Sequence, residues 1–258
     1  MLRFCSLASG SSGNATLVEA SSGTTRTRVL IDAGLGLREL GRRLARIGVA
    51  VAELDALFIT HEHSDHIGCA PELAARHGIP LWASLGTLRA AEGQLDPATA
   101  RVARDGEAVA VGDLQLLPFT VPHDAREPLQ LRCTDGEHNL GVLTDLGHVT
   151  PYVLSRLAGC DALVLECNHD PDLLAGSAYP LFLRRRIGGQ HGHLNNAQAA
   201  QALAQLAHAA LHTVLAAHLS ERNNRPELAQ AALAGALGCR PDDVRVATPL
   251  GAADWLDV

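Results

Sequence analysis

The chain has 258 residues, of which 47% are hydrophobic, enough for a sizeable core, and no Gly-, Ser- or Pro-rich linker divides it. The net charge of −7 argues against a basic surface that coats duplex DNA, and the 3% aromatic content argues against single-strand binding by aromatic platforms. No stretch resembles a signal peptide or a membrane span, and the six cysteines form no CxxC pair. We therefore expect one cytoplasmic domain over residues 1–258, with mostly buried, reduced cysteines.

The first half of the chain alternates segments typical of strands with segments typical of helices. Apolar residues three or four positions apart predict a helix that carries Leu37, Leu40, Leu44 and Ile47. Gly48 suits its C-terminal cap, and a second helix is predicted near Pro71–His77. Short apolar runs predict strands at Phe4–Leu7, Thr16–Glu19, Arg28–Ile31, Ala56–Ile59 and Ile79–Ala83.

The second half continues this alternation. Runs of strand length are predicted at Ala108–Val111, Leu114–Pro118, Leu129–Cys133, His138–Thr144, Ala162–Leu165, Thr213–Ala217 and Val244–Ala247. Helices are predicted near Pro151–Leu157, over Ala197–Leu211 and from Pro226 to Gly238. The alternation predicts an α/β fold in which two mixed β-sheets are flanked by helices, a four-layer αββα sandwich.

The strongest chemical signal is the segment THEHSDH at residues 60–66, directly after the apolar run Ala56–Ile59. Its ligand-type residues are His61, His63, Asp65 and His66. Imidazole suits zinc and related metals, and a carboxylate suits harder ions such as manganese. Since α/β proteins place their chemistry where buried strands end, the segment predicts half of a metal site. A His-rich surface loop is the alternative, and it leaves the position behind a buried strand unexplained.

Three further ligand-type residues each follow a predicted strand: His123 in VPHDA, Asp145 in LTDLG and His218 in AHLS. Taken alone, each is explained as an ordinary residue. Taken with residues 60–66, they form a set of ligand-type residues at the ends of strands.

The order of these motifs, HxHxDH followed by a lone His, a lone Asp and a lone His, resembles the metallo-β-lactamase superfamily from Asp32 to His218. The resemblance implies that one metal ion is held by His61, His63 and His123. It implies that the other is held by Asp65, His66 and His218. Asp145 would bridge both ions, and Asp32 would support the HxHxDH loop from behind.

The resemblance also implies hydrolysis. Two divalent ions, Zn²⁺ or Mn²⁺, can share a hydroxide that attacks a phosphodiester, with Asp65 and Asp145 orienting this nucleophile. The two ions outweigh two carboxylates and a hydroxide, so a cationic site that favours an anionic substrate is expected. The alternative on the same ligands is a small-molecule metallo-hydrolase: a thioesterase, lactonase or cyclic phosphodiesterase. The complete ligand set disfavours a non-catalytic binding module.

Segments outside the ligand residues indicate which branch of the superfamily the chain resembles. Residues 8–14, 30–34, 121–125, 165–170 and 192–196 together look like the YycJ/WalJ branch of nuclease-type phosphodiesterases. Cys167 and Asn195 depart from that branch, in which small polar residues are expected at these positions. The branch implies a 5′→3′ exonuclease with DNA as its substrate. No pattern indicates an oligomeric state.

His193 is similar in position to a histidine that, in tRNA 3′-processing enzymes of the superfamily, contacts the scissile phosphate and protonates the leaving oxygen. The alternative is a histidine at a helix entry without a chemical role. Glu166 and His169 follow the predicted strand Ala162–Leu165 and are expected to support the site from behind, with Glu166 orienting His193. A capping role is the alternative for both.

Two segments are candidates for phosphate or DNA contacts. The Ser/Gly turn at residues 8–14 offers backbone N–H groups together with Ser9, Ser11 and Asn14, but it lacks the Walker lysine of nucleotide-binding loops. The basic run of Arg184, Arg185 and Arg186 would offset the acidity of the chain near the site. A tight strand connection and a solvated basic face are the respective alternatives.

Overall fold

Two β-sheets form the centre of the computed structural model, which describes residues 1–252 and 254–258. In chain order the strands of these residues are β1 (Leu2–Ala8), β2 (Ala15–Ser22), β3 (Thr25–Ile31), β4 (Ala56–Ile59), β5 (Leu81–Ala83), β6 (Ala100–Val102), β7 (Val109–Val111), β8 (Leu114–Thr120), β9 (Leu129–Thr134), β10 (Asn139–Leu143), β11 (Ala162–Glu166), β12 (Thr213–Ala217), β13 (Arg245–Val246) and β14 (Leu256–Asp257). One sheet has the order β14–β1–β2–β3–β4–β5–β6, and the other has the order β13–β12–β11–β10–β9–β8–β7.

Helices cover the outer faces of both sheets. In the described residues they are α1 (Leu37–Arg46), α2 (Ser64–Ile67), α3 (Ala70–His77), α4 (Leu85–Ala90), α5 (Pro151–Leu157), α6 (Pro171–Ala175), α7 (Leu181–Ile187), α8 (Asn196–Leu206) and α9 (Pro226–Leu237). Phe4 and Phe58 are fully buried between the sheets. Leu40 of α1 packs against the first sheet and Leu203 of α8 against the second. This order of layers confirms the predicted four-layer αββα sandwich.

The strands that lead into the predicted site run in a common direction within each sheet. β3 and β4 are parallel, as are β10, β11 and β12. β8 runs in the direction of β10, because both are antiparallel to β9. Since the carboxyl ends of such strands meet at one edge of a sheet, the residues that follow them come together. Those residues are Asp32, His61, His123, Asp145 and His218.

Some elements differ from the prediction. α8 ends at Leu206 and not at Leu211, because Ala207 turns to an extended conformation and His208 Nε2–H donates to the carbonyl oxygen of Cys160 (3.0 Å). The strands β6 and β14 and the helices α4, α6 and α7 were not predicted, since such short elements show little periodicity. The segment at residues 60–66 enters the short helix α2 at Ser64, and no helix was predicted there.

Neither a membrane-spanning helix nor a disulfide is found in residues 1–252 and 254–258. No helix there is long and apolar enough to cross a membrane. The six cysteines of these residues are unpaired, and all but Cys239 are buried, as predicted.

Gly34 packs directly against the histidine-rich segment. A Cβ at this position would lie 1.7 Å from the carbonyl oxygen of Asp65 and 2.8 Å from the amide nitrogen of Asn14. We therefore expect Gly34→Ala to displace Asp65 and to lower the free energy of unfolding by about 1–3 kcal/mol, as overpacking typically does. Chemical denaturation measures the effect. Gly36→Ala is the matched control, because a Cβ there meets no atom within 4 Å. Equal stability of the two variants would contradict the expectation.

Candidate metal centre

Ligand-type side chains from both sheets converge at one edge of the sandwich. In the described part of the chain they form overlapping groups, and within each group all ligand atoms lie within 4.8 Å of one another. The groups include His61, His63 and His123; His61, His66 and Asp145; and Asp65, His66 and His218. The structure thus brings together all seven residues that the sequence predicted as metal ligands.

The first group consists of three imidazoles. His63 Nδ1 lies 3.0 Å from His61 Nε2 and 3.3 Å from His123 Nε2. Three ring nitrogens at this spacing cannot all satisfy one another, since a neutral imidazole has one donor and one acceptor nitrogen. A transition metal ion accepts a lone pair from each of them, so this donor set fits an ion such as zinc.

The second group contains carboxylates. His66 Nε2 lies 3.2 Å from Asp145 Oδ2, and His218 Nε2 lies 3.7 Å from Asp65 Oδ2. Asp145 Oδ2 and His218 Nε2 are buried and have no hydrogen-bond partner among the described residues. Because buried polar atoms are nearly always paired, two unpaired ligand atoms in one cluster fit a divalent cation. Asp145 shares a group with His61 and His66, a position that suits a carboxylate between two ions.

Three of the imidazoles are held through the nitrogen that points away from the cluster. These bonds join His66 Nδ1 to Asp32 Oδ2 (2.7 Å), His123 Nδ1 to the carbonyl oxygen of Gly192 (3.0 Å) and His218 Nδ1 to Glu166 Oε1 (3.1 Å). In each bond the ring N–H donates to an oxygen. Such bonds set the tautomer and orientation of a metal-binding histidine and leave its other nitrogen available.

Asp32 holds two parts of the histidine-rich segment. Oδ2 accepts from His66 Nδ1, and Oδ1 accepts from the amide of Thr60 (2.9 Å). Removing such a partner typically weakens metal affinity 10- to 100-fold, so we expect Asp32→Asn to weaken metal affinity by roughly that factor. Competition with a chromophoric chelator measures it. Unchanged affinity in a folded Asp32→Asn protein would count against this role.

Three site residues adopt a left-handed backbone, which is rare outside glycine. The φ angle is 60° at Asp32, 54° at Asp145 and 55° at His218. The amide of His218 donates to Ser9 Oγ (2.7 Å), and this bond holds one of these turns in place. Such conformations cost of order 1–3 kcal/mol each and cluster at functional sites. Here each of them follows a strand and turns a side chain sharply towards the common edge.

The charges of the cluster act strongly on one another. Burial alone would lower the pKa of His218, but the charge of Asp145, the nearby carboxylate of Asp65 and the hydrogen bond to Glu166 outweigh burial and raise this pKa to about 10. Burial would raise the pKa of Asp145, but the charges of His218 and His66 hold it well below its usual range. The negative charge of the carboxylates therefore stabilises either protonated imidazoles or metal ions that replace those protons. Binding of metal is accordingly expected to release protons.

A cavity of about 350 Å³ opens beside the cluster. Its wall includes Asp65, Asp145 and His218, together with three residues that the sequence predicted as catalytic or phosphate contacts. These three are Ser11, Arg186 and His193.

Ser9 and Asn14, predicted with Ser11 as phosphate contacts, are buried behind the ligands. Ser9 Oγ accepts from the amide of His218. Asn14 Nδ2 donates to the carbonyl oxygen of Asp65 (3.3 Å) and lies 3.1 Å from His66 Nε2. Of the turn at residues 8–14, Ser11 therefore faces the cavity, while Ser9 and Asn14 hold the ligand-bearing segments in place.

The three predicted arginine contacts lie on α7 and have different surroundings. Arg186 lines the cavity, where its Nε donates to Asp124 Oδ2. Arg184 donates to the carbonyl oxygen of Ala175, and Arg185 is exposed outside the cavity wall. Arg186 is thus the arginine of this run that reaches the site.

His193 is bonded to a buried carboxylate on the cavity wall. Its Nδ1–H donates to Glu166 Oε1 (2.8 Å). Burial would raise the pKa of Glu166, but the charge of His193 and hydrogen bonds from His193 and His218 lower it to about 2. Glu166 thus contacts both His193 and the proposed ligand His218. His169 is buried outside the cavity wall, and its carbonyl oxygen accepts from the amide of Asn196 at the start of α8 (3.0 Å).

Sequence reasoning assigned no role to Thr60, Asp124 and Asn168. Thr60 Oγ1 donates to Asp32 Oδ2 (2.9 Å), and Asn168 Nδ2 donates to the carbonyl oxygen of His218 (3.0 Å). Asp124 Oδ1 lies 3.4 Å from His123 Nε2. The available signal was adjacency, because Thr60 and Asp124 are direct neighbours of ligand residues in the chain.

Comparisons with known proteins identify relatives of the chain. Residues 27–218 match the family model described as the β-lactamase superfamily domain. Exodeoxyribonuclease WalJ of Streptococcus pneumoniae is 34% identical over 232 residues, which cover 88% of this chain and 85% of that protein. Exodeoxyribonuclease YycJ of Bacillus anthracis is 33% identical over 232 residues, with 89% and 86% covered. The crystal structure of the metallo-β-lactamase fold protein YhfI from Bacillus subtilis has a TM-score of 0.74 at 17% identity and covers 96% of this chain and 97% of its own. The chain therefore belongs to the metallo-β-lactamase superfamily, in the branch of WalJ and YycJ.

Proposed function

We propose that the protein is a dinuclear metal-dependent phosphodiesterase and, more narrowly, a 5′→3′ DNA exonuclease. Its family makes it a metal-dependent hydrolase, and relatives that match most of its length, WalJ and YycJ, are named exodeoxyribonucleases. The observation that carries the proposal is His193, an imidazole held by Glu166 on the cavity wall beside the ligands. Such a group can protonate an alkoxide leaving group, which a phosphodiester requires and a thioester does not.

Two divalent ions would be held by this chain. The proposed ligands are His61, His63 and His123 for one ion, Asp65, His66 and His218 for the other, and Asp145 for both. When bound, the ions stabilise the charge that develops on the phosphoryl oxygens and lower the pKa of the attacking water. The imidazoles of the first group favour zinc, and the carboxylates of the second group also suit manganese.

The proton for the leaving oxygen is assigned to Nε2 of His193. Glu166 accepts the Nδ1–H of this ring, which leaves Nε2 to face the substrate. The lowered pKa of Glu166, about 2, keeps this carboxylate ionised, so it stabilises the positive imidazolium that donates the proton. After transfer the neutral ring keeps its bond to Glu166 and its orientation.

The remaining polar residues of the cavity wall position the substrate and the water. Asp65 and Asp145 offer acceptors that orient the attacking water, and Ser11 and Arg186 would contact the non-bridging phosphate oxygens. Because Arg186 is paired with Asp124, it must share or exchange this partner when a phosphate binds. The site takes residues from both sheets, and we also propose that residues 1–258 act as one domain.

The test uses metal-stripped protein with zinc or manganese added back and 5′-phosphorylated DNA labelled at either end. We expect a 5′ label to be released at once as a mononucleotide and a 3′-labelled strand to shorten progressively, both only with metal. Immediate release of a 3′ label, with progressive shortening of the 5′-labelled strand, would overturn the proposed 5′→3′ direction of cleavage. Turnover of a thioester or a lactone without DNA cleavage would overturn the nuclease proposal in favour of a small-molecule hydrolase.

A further inference from the structure

Phe182 differs from the other phenylalanines of this chain. The chain has four of them, and Phe4, Phe58 and Phe119 are fully buried, whereas the side chain of Phe182 is 73% exposed. In a protein with 3% aromatic residues, an exposed ring of this size is unusual, and packing does not require it.

The ring lies beside the proposed active site. It belongs to α7, from which Leu183, Arg186 and Ile187 line the cavity. Phe182 precedes Arg186 by four residues, and helical residues at this spacing are neighbours on one face. Phe182 is therefore placed at the rim of the cavity, next to the arginine that reaches into it.

The charge of α7 indicates which class of ligand contacts the ring of Phe182. The helix carries Arg184, Arg185 and Arg186 and no acidic residue, although the whole chain has a net charge of −7. A local cationic surface with one exposed aromatic ring fits a ligand that is anionic along its backbone and flat and apolar beside it. A nucleic-acid strand has this combination, because phosphates alternate with bases that stack on aromatic side chains.

We propose that Phe182 stacks on an unpaired base next to the phosphate held in the cavity, while Arg186 contacts the backbone on the same helix face. This inference rests on the proposed nuclease function and narrows its substrate to a single-stranded or frayed DNA end. A paired base inside a duplex already stacks on its neighbours and offers no free face to the ring.

Three substitutions separate stacking from general apolar contact. We expect Phe182→Ala and Phe182→Leu to raise the KM for a single-stranded oligonucleotide by roughly 5- to 100-fold, the range for loss of one base–aromatic stack, and Phe182→Tyr to retain a KM near that of the wild type. The KM for a small phosphodiester without a base should stay near that of the wild type in all three variants. Leu250→Ala is the matched control, because Leu250 is 70% exposed and does not line the cavity.

A substrate lacking the base completes the test. If Phe182 stacks on a base, an abasic nucleotide at that position should raise the KM of the wild type, and Phe182→Ala should add little to this loss. If Phe182→Ala and Phe182→Leu both cleave DNA normally with the KM of the wild type, the stacking inference is overturned and the proposed nuclease function stands. Absence of DNA cleavage by the wild-type protein would instead overturn the proposed function.

Discussion

Replacing Asp145 by alanine is expected to abolish hydrolysis. Its buried carboxylate lies 3.2 Å from His66 Nε2 and shares a ligand group with His61 and with the same His66, so its loss affects both proposed ions. Metal ions contribute several kcal/mol of charge stabilisation to such reactions, so we expect a rate loss of at least about 1000-fold. The same loss is expected for His61→Ala. Cleavage rates and the metal content of the purified protein measure the effect.

The backbone at Asp145 requires a second variant. Its φ of 54° strains an alanine, so Asp145→Ala alone could lose activity through local distortion. Asn tolerates this conformation and has the shape of Asp, so Asp145→Asn tests the charge with the turn preserved. Asp242→Asn, at an exposed position outside the site, is the control and should match the wild type. Near-wild-type cleavage by Asp145→Asn supplied with metal would disprove the role of this carboxylate.

The positions of the proposed ligands were predictable because they follow strands. The buried run Ala56–Ile59 ends directly before the histidine-rich segment, and Asp145 and His218 follow the similarly apolar β10 and β12. Strand direction then determines that these residues meet at one edge. Hydrophobic periodicity reports strand ends well, since burial of the strand is what shapes the pattern.

Contacts made across the chain were not predictable in this way. The ion pair between Arg186 and Asp124 joins residues 62 positions apart, and the exposure of Phe182 depends on where α7 packs. Ser9 and Asn14 have the composition of an anion-binding turn, yet their polar groups bond to the ligand-bearing segments. An anion-binding turn and a turn that bonds to neighbouring segments have the same local composition. Only the tertiary structure distinguishes one from the other.

The end of helix α8 also depends on a tertiary contact that the local sequence does not reveal. The Ala- and Leu-rich sequence that follows Asn196 has high helix propensity through Leu211, yet α8 ends at Leu206. The bond from His208 to the carbonyl oxygen of Cys160 ties the following segment to the end of a neighbouring loop. Propensity is a local quantity, and a tertiary hydrogen bond worth about 1 kcal/mol is enough to end a frayed terminus.

Replacing His193 by alanine is expected to slow cleavage of DNA by roughly 100- to 10,000-fold, the usual contribution of a general acid. Its Nδ1–H is bonded to Glu166, and its ring lines the cavity, so Nε2 is placed to protonate the leaving oxygen. A phosphodiester with a p-nitrophenolate leaving group needs little protonation, so the loss on that substrate should be far smaller. His191→Ala is the matched control, since His191 is an exposed histidine two positions away and should leave both rates unchanged.

The dependence of the rate on the leaving group distinguishes proton transfer by His193 from positioning of the substrate. Glu166→Gln should also reduce the rate, because a neutral amide stabilises the imidazolium less than a carboxylate does. Since Glu166 also bonds to His218, metal content must be measured alongside. Equal losses of activity in His193→Ala on DNA and on the p-nitrophenyl substrate would assign His193 to phosphate binding and would rule it out as the general acid.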